Sequence, residues 1–227
     1  MYRFILFDLD DTLIDSAYAA EEGSRAWSIE IGIEPNPKRW KDLEKKWYTK
    51  FEQGLTSYEG QRVGRVRDYT GNQQLSDAQA LAIMESFYPH YLNNIHAFAD
   101  AAPALSAAAA TGARTGIFTN GGNDLQTAKT KAAGLWNDEQ LFFTAAEMPA
   151  PKPQPESYEF IIQKLGCQPE EIVMIGDNFD NDSVGPARAG WHTIFLDRHA
   201  NNAQSAAIPG LIASVSTLAD IDFGDLK

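Results

Sequence analysis

Short apolar runs in this chain repeatedly lead into residues that could do chemistry. Phe4-Ile5-Leu6-Phe7 runs into Asp8-Leu9-Asp10-Asp11-Thr12, and Ile117-Phe118 into Thr119-Asn120-Gly121-Gly122. Ile172-Val173-Met174-Ile175 runs into Gly176-Asp177, with Asp180 and Asp182 just beyond, and Lys152 stands alone between Pro151 and Pro153. Clustered carboxylates repel one another, and one or more protonates unless a cation joins them. Oxygen-only ligands suit a hard divalent ion such as Mg2+, which keeps several waters and binds substrate phosphate. Lys152 suits an anionic group, and the Thr119 hydroxyl with neighbouring backbone N–H groups suits phosphate oxygens. One aspartate can attack phosphorus to give an aspartyl-phosphate. A second, two residues on, can protonate the leaving oxygen and later activate water. The chemistry these residue types describe is phosphoryl transfer, driven by positioning and charge neutralisation. Each cluster alone reads more simply as a turn, a cap or a solvated charge; their order and placement carry the argument.

Such groups meet only if the elements before them lie side by side. Strands at Phe4–Leu9, 115–118, 141–143, 172–175 and 192–196 alternate with helices near 103–111, 125–133, 158–165 and 187–189. Strand–helix alternation with nearly continuous apolar strands predicts a doubly wound, Rossmann-like parallel sheet covered on both faces. Ligands of such sheets bind at the carboxyl ends of the strands, where every cluster above falls. Residues 16–96 read differently, as four successive helices. One runs from Ser16 to Ile31, and a second follows Pro37 with Trp40, Leu43, Trp47 and Phe51 at helical spacing. A third starts near Ser57, and a fourth starts at Ser76, a fitting N-cap. The expected division is therefore an α/β core of residues 1–15 and 97–227 with a helical insertion of residues 16–96.

The chain resembles the haloacid dehalogenase superfamily in its phosphatase branch. F-D-L-D-D-T-L resembles the first motif, I-F-T-N-G the second, P-K-P the third and I-G-D-N-F-D-N-D the fourth, over residues 1–15 and about 97–200. The resemblance implies that Asp8 is the nucleophile and Asp10 the acid/base. It implies that Thr119, with Asn120, binds phosphate and that Lys152 bridges nucleophile and phosphate. Mg2+ is the implied cofactor, held by Asp8, Asp177 and the main-chain carbonyl of Asp10, with Asp182 as a supporting acid. The family often has glycine where this chain has Asp11, a change also common among its phosphatases. Its dehalogenating members lack a second aspartate at the Asp10 place, because halide needs no proton, so Asp10 points to phosphate. The insertion resembles the family's four-helix cap, which closes over the site and selects substrate. Tyr58, Arg62 and Arg65 fall on one helical side, where they could reach a substrate anion or form a solvated basic face.

Composition bounds the function. The chain has 227 residues, 19 Lys+Arg against 31 Asp+Glu, a formal net charge of −12, and one cysteine. The acidic excess lies almost entirely outside residues 16–96. A broad electrostatic grip on nucleic acid is excluded by that charge, and a membrane span by the lack of a long apolar run. The single Cys167 and the absence of a signal-peptide pattern suit the cytoplasm. His90, His96, His192 and His199 lack metal-ligand spacing and read as structural. The leading expectation is a Mg2+-dependent phosphomonoester hydrolase of a small metabolite, a sugar phosphate or nucleoside monophosphate, acting as monomer or homodimer. A phosphosugar mutase would use the same motifs, and a non-catalytic phosphate-binding module could share the fold. Phosphonate hydrolysis would need a cap lysine, and Lys41, Lys45, Lys46 and Lys50 are spaced like a solvated face.

Overall fold

The computed structural model describes residues 2–198 and 208–226; His199 lies outside them. The chain separates into two compact units, one of Met1–Ile14 with Ala97–Lys227 and one of Asp15–His96.

The first unit is built on strands β1 (Phe4–Phe7), β2 (Arg114–Thr119), β3 (Leu141–Thr144), β4 (Ile172–Gly176), β5 (His192–Leu196) and β6 (Leu211–Val215). They form one sheet in the order β3-β2-β1-β4-β5-β6, every pair parallel. Every residue of β1 and β4 is buried, as strands covered on both faces require. Phe4 and Leu6 point to the same face, where they pack with Phe118, Met174, Tyr158, Ile161 and Trp191. The chain adds β2 and β3 on one side of β1, then β4 on the other. That reversal puts the switch point of the sheet at the carboxyl end of β1, and Asp8 is the next residue. Strand β6 was not expected, because the sequence pattern of strands ends at Leu196. It is an edge strand whose positions alternate between half-buried and exposed, so it lacks the continuous apolar run that marks its neighbours.

The second unit contains α1 (Ser16–Glu30), α2 (Pro37–Glu52), α3 (Tyr58–Thr70) and α4 (Asp77–Leu92). Each starts at a side-chain cap: Asp15, Asn36, Ser57 and Ser76 accept from the amides of Tyr18, Arg39, Gly60 and Gln79. Trp27, Trp40, Tyr69 and Phe87 form its aromatic centre, with the Trp27 and Trp40 rings 4.9 Å apart. The expected basic face of α3 is absent. Arg65 is buried, with its guanidinium 4.2 Å over the Trp40 ring, and it pairs with Glu44. Arg62 packs against Tyr58 and Tyr88 and pairs with Glu85, while Arg67 bonds to the Leu75 carbonyl and Asp77. A planar cation stacks on aromatic faces and meets a carboxylate at its edge, so these arginines serve the unit's own packing. No helix among the described residues is long and apolar enough to cross a membrane.

In the first unit the remaining helices are α5 (Ala101–Ala110), α6 (Asn123–Ala132), α7 (Pro155–Leu165) and α8 (Gly185–Arg188).

Candidate active site

Asp8 leaves β1 with its amide still bonded to the Ile175 carbonyl at 2.8 Å, so the sheet ladder itself fixes its backbone. Lys152 is 1% exposed, and its ammonium places all three N–H groups: on Asp8 Oδ1 at 2.8 Å, Asp182 Oδ1 at 2.6 Å and the Phe118 carbonyl at 2.9 Å. Burial works against that charge, but Asp182 and Asp8 outweigh it and hold the ammonium above its ordinary range. The loop carrying Lys152 is held by Asn120. Its Oδ1 accepts from the Lys152 amide at 2.8 Å and its Nδ2 donates to the Lys152 carbonyl at 2.7 Å. The Asn120 side chain, expected to bind phosphate, is thus occupied in placing Lys152.

Asp182 reaches the same point from a wide π-helical turn, Phe179–Val184, after β4. Such turns re-aim a side chain by adding one residue to the helical register. Asp182 is fully buried, and its second oxygen accepts from the Asn178 amide at 3.1 Å. Gly176 makes room for it: a Cβ there would lie 2.3 Å from Asp182 Oδ2. Asp177 is anchored by Thr12, whose hydroxyl donates to Asp177 Oδ1 and accepts from the Asp177 amide, both at 3.0 Å.

Carboxylate oxygens of Asp8, Asp177 and Asp182 lie within 4.8 Å of one another. Burial, with repulsion from Asp182 and Asp10, pushes the Asp8 carboxyl up to about 7 against the pull of Lys152. Burial and the charge of Asp8 raise Asp177 well above the usual range. One ammonium does not neutralise three carboxylates, two buried and one half-buried, so the donor set fits a further cation. Both Asp182 oxygens already hold donors, which leaves Asp8 and Asp177 as the better ligands.

The Asp10 carboxylate stands outside that triad. Lys129 Nζ donates to both its oxygens, at 2.7 and 2.9 Å, and Gln126 Nε2 donates to Oδ2 at 2.9 Å. Gln126 Nε2 also donates to Thr119 Oγ1 at 2.6 Å. Sequence reading passed over Gln126 and Lys129, which look like ordinary positions of an amphipathic helix. Their one signal is the i, i+3 spacing on α6 directly after the Thr119–Gly122 turn. It also passed over Thr12 as the anchor of Asp177. At Asp11 the backbone is left-handed, with φ 58°, which accounts for glycine as the alternative there.

A doubly wound sheet with an aspartate after its first strand and a buried lysine facing it defines a class of hydrolase. A family profile described as haloacid dehalogenase-like hydrolase matches residues 2–190, and the chain belongs to that family. Among its relatives is glyceraldehyde 3-phosphate phosphatase of Methanopyrus kandleri, 27% identical over 87% of this chain and 85% of the relative. Another is pyrimidine 5′-nucleotidase PynA of Streptococcus pneumoniae, 28% identical over 92% and 89%. The solved structure of the hydrolase YfnB from Bacillus subtilis, bound to magnesium, has a similar fold. Its TM-score is 0.81 at 20% identity, with 96% of each chain covered.

Proposed function

We propose that this enzyme is a Mg2+-dependent phosphatase that hydrolyses a small phosphorylated metabolite through an aspartyl-phosphate on Asp8. The observation that carries the reading is the Lys152 ammonium shared between Asp8 and Asp182, with Asp177 adjoining. A lysine so placed orients the nucleophile, and its positive charge stands beside the oxygen that meets the phosphate. Relatives named as phosphatases for a triose phosphate and for pyrimidine nucleotides support the substrate class.

In the first half-reaction an Asp8 oxygen attacks phosphorus, the bond from phosphorus to the ester oxygen breaks, and the departing oxygen takes a proton from Asp10. In the second, water attacks the phosphorus and gives a proton to Asp10. The bond to Asp8 breaks, releasing inorganic phosphate and the free carboxylate. Thr119 donates its hydroxyl to a phosphate oxygen, and Lys152 balances the growing charge. Asp8, Asp177 and the Asp10 carbonyl would hold Mg2+, which supplies positive charge to the phosphate oxygens. The net charge of −12 argues against nucleic acid as substrate or partner. The reading includes a cytoplasmic monomer or homodimer.

The test is a panel of phosphorylated metabolites and an aryl phosphate, with and without Mg2+, on the wild-type protein and Asp8→Asn. Mg2+-dependent phosphate release that disappears with Asp8→Asn is expected. Binding without turnover would overturn the enzymatic reading in favour of a phosphate-binding module. Isomerisation of a sugar phosphate that needs a bisphosphate would replace hydrolysis by mutase chemistry.

A further inference from the structure

Gln126 and Lys129 are one helical turn apart on α6, and both side chains are buried, Gln126 completely and Lys129 to 5% exposure. A fully buried glutamine amide is costly unless it has partners. Both hydrogens of this one are placed, on Asp10 Oδ2 at 2.9 Å and Thr119 Oγ1 at 2.6 Å. The amide therefore joins the two residues assigned to proton transfer and phosphate binding, and it makes the Thr119 oxygen an acceptor. A hydroxyl that accepts from the protein keeps its own proton for another acceptor, here a phosphate oxygen. Lys129 grips both oxygens of Asp10, at 2.7 and 2.9 Å, fixing the plane of the carboxylate in the way one hydrogen bond would not. The helix comes this close because residue 121 is glycine: a Cβ there would lie 2.2 Å from Gln126 Cδ.

We propose that Gln126 and Lys129 are positioning residues for phosphoryl transfer, Lys129 orienting the Asp10 carboxylate toward the hydrolytic water and Gln126 aligning Asp10 with the Thr119 hydroxyl. This rests on the assignment of Asp10 as acid/base. An aryl phosphate with an acidic phenol separates the two half-reactions. Its leaving group needs no proton, so a misoriented Asp10 slows only the attack of water.

Rapid-quench kinetics on such a substrate compare wild type, Lys129→Met, Lys129→Arg, Gln126→Met and Asp10→Asn. Lys129→Met is expected to keep the rate of phenol release in the first turnover within about 3-fold. Its steady-state rate should fall roughly 10-fold or more, part of the full worth of a general base, with phosphoenzyme accumulating. Lys129→Arg should recover most of that loss. Gln126→Met should weaken inhibition by inorganic phosphate roughly 5-fold, the size of one lost hydrogen bond. Lys129→Gln carries the same test if Lys129→Met does not fold. Equal loss in burst and steady state, no loss in either, or an unchanged phosphate inhibition constant for Gln126→Met would overturn the proposal. If Asp10→Asn accumulates phosphoenzyme while Lys129→Met does not, positioning alone fails. If Asp10→Asn turns over normally, the acid/base assignment fails and takes the proposal with it.

Discussion

Lys152 has no spare donor: its N–H groups go to Asp8, Asp182 and the Phe118 carbonyl. Replacing it by methionine keeps the apolar stem and leaves Asp182 charged and fully buried. Breaking a buried pair from one side costs about 3–5 kcal/mol, so urea unfolding of Lys152→Met should show a loss of that order, along with lost turnover. A stability within about 1 kcal/mol of wild type would mean the carboxylates find another cation or a proton. The same crowding makes a small prediction at Gly176. Its Ala variant puts a methyl 2.3 Å from Asp182 Oδ2, so Asp182 must move and Lys152 with it. Activity should drop at least about 10-fold, as misplaced catalytic groups cost. Asp8→Asn should lose at least about 10³-fold in turnover while melting like the wild type, the loss expected when a covalent nucleophile is removed.

Elements of the sheet unit are tied together by one carboxylate. Asp100, just before α5, accepts from Arg198 after β5 at 2.9 and 3.0 Å, from Thr217 at 2.6 Å and from the Leu218 amide at 2.9 Å beyond β6. Arg198 also donates to the Thr12 carbonyl at 2.7 Å and lies 3.9 Å over the Phe98 ring. Burial alone would raise the Asp100 carboxyl, yet these donors hold it down to about 2 from 3.8. A depressed carboxylate contributes stability above its unfolded value and loses it as pH falls through the folded one. The contribution, about 2 kcal/mol by linkage, should be complete above about pH 4 and gone near pH 2. Asp100→Asn should therefore be less stable than wild type at pH 7 and nearly equal to it at pH 2. A constant difference across that range, read by urea unfolding, would show that the pairing is not electrostatic.

The two units have separate interiors. In the helical one the ends of the segment meet, because the Asp15 amide donates to the His96 carbonyl at 3.1 Å. In the other, Ile14 and Ala97 form a bridge and the Phe98 amide bonds the Leu13 carbonyl at 3.0 Å. Each unit thus closes its own chain break. With Trp27 and Trp40 fully buried among other rings, residues 15–96 should fold when expressed alone. The expected signs are a cooperative thermal transition and blue-shifted indole fluorescence. A non-cooperative melt with solvent-exposed fluorescence would show that this segment depends on the rest of the chain.

The parallel sheet and its first five strands were legible in the sequence, because each strand carries its own apolar run. The residues that would act on phosphate were legible from the strand ends: Asp8 and Asp177 each sit one step past a strand and Thr119 is the last residue of β2, so backbone geometry delivers them to one edge. Chain-distant partners were not legible. Lys129 reaches Asp10 across 119 positions, and nothing near either residue announces the other. Arg65 looked like part of a charged face until the Trp40 ring and Glu44 were seen around it. Asn120 carries a donor and an acceptor, and only the approach of the Lys152 loop decides that both are used on backbone. Strand β6 exists by pairing with β5, with little hydrophobic pattern of its own. Local spacing determines which groups arrive at the sheet edge. What each group then holds depends on side chains brought near by packing, and that choice is made by the lowest-energy pairing of buried polar groups in three dimensions.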